Sequence, residues 1–363
     1  MVPTNSRAEL GIQNSYERYF WISFNAVVVL SSFLGDSIIL FSILKHDAMK
    51  LHKLIVTIIL HLAVSDLLQT VLKVIPQIVG LVADGWILPP ITCHVQYHAT
   101  VLLSGMVTPL LTCALTTYKL LIIKFPLRQG VWSTRHGHLF CALMWFSAFT
   151  VHVPQLAASF LYGKHSLYFD FEWYVCNYDY TSTAAGNWPN WYLIASFAVG
   201  AVFVFTAITI SSALLLMLAR RTASHSHHRS AMRWQGVMTV FLTVLVFWIS
   251  CLPWLIVYPS NIQCPPIWRA AQFIQNLNIM GNVFVYAITV KSFRLFLKLK
   301  VRQFMDLVRL RTASSSQRSA ILMKQISRQS QSLQSGSSFP QRRVSTRFPH
   351  ESYRGITQSS STG

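Results

Sequence analysis

Asp36, Asp66 and Lys73 sit inside long apolar runs near the start of the chain, and Asn278 and Asn282 sit inside another near its end. An ionisable side chain held in hydrocarbon is costly unless paired or hydrated, so such residues mark candidate binding or proton-transfer sites. Two carboxylates with the amide carbonyls of Asn278 and Asn282 form an oxygen-rich donor set suited to a hard cation or a shared proton. A water-filled polar network that only joins helices is the alternative. Lys73 follows Asp66 by seven residues and so shares its helical face about two turns away. It reads either as a cation in a ligand cavity or as an amine snorkelling to lipid headgroups. His98, Val101, His152 and Arg269 are further candidates for lining that cavity.

From Leu167 to Tyr180 aromatic and acidic residues alternate with a period near two, the pattern of a strand. The carboxylates of Asp170, Glu172 and Asp179, interleaved with aromatic rings, suit a basic or amidated peptide through charge pairing and cation–π contact. A lid that merely covers a pocket would carry the same pattern. No metal-ligand spacing, activated nucleophile or phosphate-cradling glycine loop is visible, so neither enzyme chemistry nor an organic cofactor is expected.

These groups are carried by seven apolar segments, about 20–44, 54–81, 94–123, 138–161, 190–219, 236–258 and 268–290. A helix rises about 1.5 Å per residue, so roughly 20 apolar residues cross a hydrocarbon core. The expected fold is an all-α membrane protein with a seven-transmembrane helix bundle over residues 20–290. Charge is sorted by side. Loops 45–53, 124–137 and 220–235, the tail from 291 and Lys119 at the foot of the third segment hold 25 Lys or Arg and three acids, a balance of +22 against −3 elsewhere. Basic residues accumulate on the cytoplasmic face, which places residues 1–19 outside the cell and the tail inside, at the plasma membrane. They flank spans rather than crowd a soluble domain, so a net charge of +19 does not imply nucleic acid. Arg294, Lys298 and Arg302 stand four apart with Phe293, Phe296 and Leu297 opposite. This predicts a short amphipathic eighth helix over 291–304 along anionic lipid. Residues 305–363 turn to Ser, Gln, Arg and Thr, the composition of a disordered tail.

Of the six cysteines, Cys113, Cys141 and Cys251 lie within segments as buried thiols, while Cys93, Cys176 and Cys264 fall on the oxidising face. Further residues recur in order along the segments: Leu62-Ala63-Val64-Ser65-Asp66; Trp86 seven residues before Cys93; Trp145 nine before Pro154; Phe247 six before Pro253; and Asn282-Val283-Phe284-Val285-Tyr286 with Phe293 beyond. Over roughly residues 25–304 the chain resembles the rhodopsin-like family of G protein-coupled receptors, closest in style to its peptide receptors. The resemblance implies a Cys93–Cys176 disulfide tying the acidic loop to the third segment. It implies a sodium ion among Asp36, Asp66, Asn278 and Asn282. It implies an extracellular ligand and a heterotrimeric G protein, with Tyr118, Lys119, Phe247, Pro253 and Tyr286 in activation, and arrestin and kinase acting on the tail. The chain departs from the family at the foot of the third segment, where Thr117-Tyr118-Lys119 lacks an acid–arginine pair, and at Val283, where the family has proline. Residues 94–106 hold no acid to anchor an amine, and Lys291 lies too late for a retinal Schiff base. The alternatives are a non-signalling decoy of the same fold and, in another class, an ion- or proton-coupled transporter using Asp36, Asp66 and Lys73.

Overall fold

The computed structural model describes residues 15–46, 53–124, 134–162, 167–170, 174–178, 204–217, 227–257 and 264–312. Among them seven helical rods pack as a transmembrane bundle. Helix α1 is Ser15–His46. Helix α2 joins Lys53–Gln69, a π turn at Thr70–Val74 and Ile75–Ala83. Helix α3 joins Pro90–Ala99, a π stretch at Thr100–Val107 and Thr108–Lys124. Helices α4 (Thr134–Tyr162), α5 (Val204–Met217) and α6 (His227–Val257) follow. Helix α7 runs Pro265–Gln275 and Leu277–Thr289 with a break at Asn276, and α8 is Lys291–Thr312. The chain divides into two units, Met1–Lys300 and Val301–Gly363, and the bundle belongs to the first.

Five of these helices, α1, α2, α3, α4 and α6, are long and apolar enough to cross a membrane unbroken. The first half of the fifth expected span, 190–203, lies outside the described residues. Leu30, Leu139, Phe146, Ile249 and Ile288 are each more than half exposed on the bundle surface. Lipid tails are as apolar as leucine, so these side chains cost nothing in a bilayer. For the same reason the helices are held by close packing and hydrogen bonds rather than by expulsion of water. One packed cluster joins α1–α4 and α7 through Ile58, Leu62, Val107, Leu111 and Tyr286. A second joins α5 and α6 through Ile208, Val240 and Phe247. Two glycines allow backbones to touch: Gly35 of α1 lies against Val283 of α7, and Gly281 of α7 against Val246 of α6.

Several boundaries differ from the sequence expectation, α6 the most, since it begins at His227 rather than near 236. Helix α1 begins at Ser15 rather than near 20, because Glu17 sits in its first turn, where a carboxylate is favourable. Helix α3 begins at Pro90, a residue whose missing N–H is harmless at that position. Helix α8 continues past 304 to Thr312. Strands β1 (Leu167–Asp170) and β2 (Val175–Tyr178) form an antiparallel hairpin with Phe169 opposite Cys176. Among the described residues the alternation in the acidic loop is thus a strand pattern, as expected.

Candidate functional site

The hairpin is fastened over one end of the bundle. A Cys93–Cys176 disulfide, with Cα atoms 5.4 Å apart, joins β2 to α3. Tyr174, fully buried, donates its hydroxyl to Asp84 Oδ1 at 2.8 Å. Asp84 closes α2 in a left-handed conformation, φ 51°, and its other oxygen pairs with Arg18 at 3.2 Å. Arg269 Nε meets Glu17 at 3.1 Å, and Trp21 stacks on Phe273 at 4.5 Å. Arg269 is thereby a strut between α1 and α7. An ion pair with one partly exposed partner contributes about 1 kcal/mol at most. Glu17→Gln is therefore expected to lower the thermal midpoint of the purified protein by only a few degrees, and a drop comparable to loss of the disulfide would contradict this role. Asp170 is buried within the hairpin, while Glu172 and Asp179 lie outside the described residues.

Beneath the hairpin a chain of hydrogen bonds descends into the bundle. The Cys176 N–H donates to Gln96 Oε1 at 3.0 Å, and Gln96 Nε2 donates to the Lys73 carbonyl at 3.3 Å. That carbonyl belongs to the π turn, where regular helix bonding is interrupted. Lys73 does not snorkel. It is 0 % exposed and donates to Gln275 Oε1 at 3.0 Å and Ser104 Oγ at 3.3 Å. Ser104 donates to Gln69 Oε1 at 2.5 Å, and Gln69 Nε2 donates to Thr108 Oγ1 at 2.9 Å. At the break in α7, Asn276 Nδ2 donates to Asn25 and Gln77 at 2.8 and 3.0 Å. The π turn of α2, the π stretch of α3 and the break of α7 therefore meet around one lysine.

The chain ends at the paired acids. Asp66 accepts from Asn282 Nδ2 at 2.8 Å and from Gln69 Nε2 at 3.5 Å. Ser32 donates to Asp36 Oδ2 at 2.7 Å and contacts Thr70, whose hydroxyl donates to the Asp66 carbonyl. Asp36 Oδ1 is a buried acceptor without a partner among the described residues. Two carboxylates and one unclaimed oxygen suit a hard cation or a shared proton. Asn278 is buried one turn away and bonds to neither acid among the described residues. His98 and His152 face each other, Nδ1 to Nε2 at 3.0 Å, and Val101 packs beneath the disulfide.

Residues 35–293 of the 363-residue chain match the family described as 7 transmembrane receptor (rhodopsin family). The chain belongs to that family. It is a multi-pass membrane receptor of the G protein-coupled class and not an enzyme. Comparison with individual curated proteins gives no match.

Within α6, in the half nearer the hairpin end of this receptor, Phe247 is buried against Phe205, ring centroids 4.9 Å apart, six residues from Pro253. Tyr286 and Phe293 are buried together in the α1–α4 and α7 cluster. Tyr118 and Lys119 are buried on α3, and neither ion pair among the described residues includes Lys119. The receptor's polar chain also uses Gln69, Gln77, Gln96, Gln275, Asn276, Ser32 and Thr70, none of which sequence reasoning singled out. On α2 the signal was present: Asp66, Gln69 and Thr70, Lys73 and Gln77 recur at three- and four-residue steps, one polar stripe along an apolar helix.

Proposed function

We propose that this receptor binds an extracellular peptide beneath its hairpin and signals through a heterotrimeric G protein, with arrestin and kinases acting on the tail. The observation that carries the reading is the continuous hydrogen-bonded chain from Cys176 through Gln96, Lys73, Ser104 and Gln69 to Asp66. A ligand that displaces the hairpin pulls on the turn holding Lys73 and so biases the packing of α2, α3 and α7. Activation is a population shift, and the ligand drives it only as far as it prefers the open state. Outward motion of α6 about Pro253 then opens a cleft between the basic loops. Charge sorting supports a plasma-membrane orientation with the hairpin outside. Asp36 and Asp66, with Asn282 and Asn278 beside them, form the proposed sodium site, and the amphipathic face of residues 291–304 lies on inner-leaflet lipid. Glu172 and Asp179 supply the acidic contacts to basic side chains of the peptide.

The test is a peptide screen on cells with verified surface expression, read by arrestin recruitment, cAMP and calcium. A peptide-evoked signal weakened about tenfold or more by Glu172→Gln/Asp179→Asn is expected. Unchanged potency removes the acidic-loop contact. Silence in all three readouts favours the non-signalling decoy, which the missing acid–arginine pair beside Tyr118 and Lys119 already makes the second reading.

A further inference from the structure

Lys73 is an amine with no acid. Neither ion pair among the described residues includes it, and two of its three donors go to neutral oxygens, Gln275 Oε1 and Ser104 Oγ. Buried charges in proteins are paired or bind an ion. On the neighbouring turns of α2 and α7 three polar atoms are buried and without partners among the described residues: Gln77 Nε2, Gln272 Nε2 and Asn276 Oδ1. Gln77 stands four residues beyond Lys73 on α2, and Gln272 stands three before Gln275 on α7. Both therefore lie one turn closer to the hairpin on the same faces. Gln77 and Asn276 are joined through Gln77 Oε1, which fixes both amides at the α2–α7 seam. Such unpaired groups are rare in folded proteins and call for an occupant.

We propose that the occupant is the free α-carboxylate end of the peptide ligand, seated on Lys73 between α2 and α7. The inference rests on the peptide-receptor reading above and chooses the acid over the amidated peptide. The free donors, the ammonium and the side-chain NH2 groups of Gln77 and Gln272, suit an anion, and a carboxylate is the one anionic group that every unmodified peptide end carries. The unclaimed acceptor, Asn276 Oδ1, takes the N–H of the terminal peptide bond, a donor that sits next to every C-terminal carboxylate. Binding there also alters the Lys73 turn, which Gln96 ties to the hairpin. Because Lys73 is completely buried, entry requires the hairpin ends of α2, α3 and α7 to part, so occupancy and conformational change are coupled.

The test uses the full chain in nanodiscs and N-acetylated tripeptides of randomised sequence, each pool made as free acid and as C-terminal amide. The free acids are expected to raise the thermal midpoint and the amides not, with the effect lost in K73Q and retained at reduced size in K73R. A second arm needs no ligand. K73M, which removes an unpaired buried charge at nearly equal volume, is expected to leave the empty receptor's midpoint unchanged or higher. Equal action of acids and amides, acid binding that survives K73Q, or a midpoint fall beyond about 5 °C in K73M overturns the proposal. The two readings fail differently. Acids that stabilise the receptor through Lys73 but evoke no signal refute the signalling function and leave the carboxylate site standing. Peptides that signal equally as acids and amides, and equally in K73Q, refute the site and leave the receptor function standing.

Discussion

Cys176→Ser is expected to cut ligand-evoked signalling at least a hundredfold at matched surface level, and to lower that level severalfold. The Cys93–Cys176 bond closes a loop of 83 residues, which in a freely unfolded chain would be worth about 4.5 kcal/mol. Most of that loop is helix held in the bilayer even before the bundle forms, so the entropic gain is well below this figure. The larger consequence is local. Cys176 donates its backbone N–H to Gln96, and Gln96 holds the Lys73 carbonyl. Freeing β2 from α3 therefore removes the hairpin and the top of the polar chain together. Gln96→Leu separates the two effects, because it cuts the chain with the disulfide intact. Its surface level should stay near wild type while the response falls about tenfold or more, the consequence of two lost buried hydrogen bonds at about 1 kcal/mol each. Surface labelling beside arrestin recruitment reads both variants. A Cys176→Ser receptor that responds normally would sever the hairpin from the mechanism.

The rods themselves were readable because lipid demands long uninterrupted apolar runs, and the basic loops mark their ends. The places where the rods are irregular were not. A π turn at Thr70–Val74 or a break at Asn276 arises from contacts between helices, such as Gln96 to Lys73 or Asn276 to Asn25 and Gln77. Those partners lie far apart in sequence; Lys73 and Gln275 are separated by 202 residues. Attention to charge alone also hid the glutamines flanking Lys73, although their spacing along α2 was in view. Arg269 illustrates a boundary effect. Its partner Glu17 lies outside the first apolar run, so hydropathy alone points the arginine to the ligand cavity rather than to an α1–α7 strut. Asn278 and Asn282 share a face of α7, but only Asn282 lies level with Asp66, a matter of depth that periodicity cannot resolve. The strand pattern located the hairpin but not which of its carboxylates turns inward, and Asp170 is buried.

Gly35→Leu should nearly abolish surface expression, and Val283→Ala in the same chain should restore part of it. A Cβ at Gly35 would fall 2.6 Å from Val283 Cγ2 and 2.9 Å from its Cβ, and closer still to Cγ1. All are atoms of a β-branched side chain with little rotamer freedom. Overpacking of this kind costs about 1–3 kcal/mol for an extra methylene or two and more for an isobutyl group. The cost also propagates, because Asp36 follows Gly35 and its bond to Ser32 is set by where α1 lies against α2. Trimming Val283 to alanine removes the two nearest methyls and leaves its Cβ at 2.9 Å, so the recovery is partial and measures a direct coupling rather than a general loss of helix propensity. Gly281 against Val246 is the matching contact on the other side of α7, yet its consequence differs. In the proposed activation α6 leaves α7, whereas α1 has no such motion to make. Gly281→Ala, which forces α6 outward, should therefore raise ligand-independent arrestin and G protein signals where Gly35→Ala only lowers receptor stability. Equal effects of the two alanines on basal signalling would mean that the α6–α7 seam is not the one that opens.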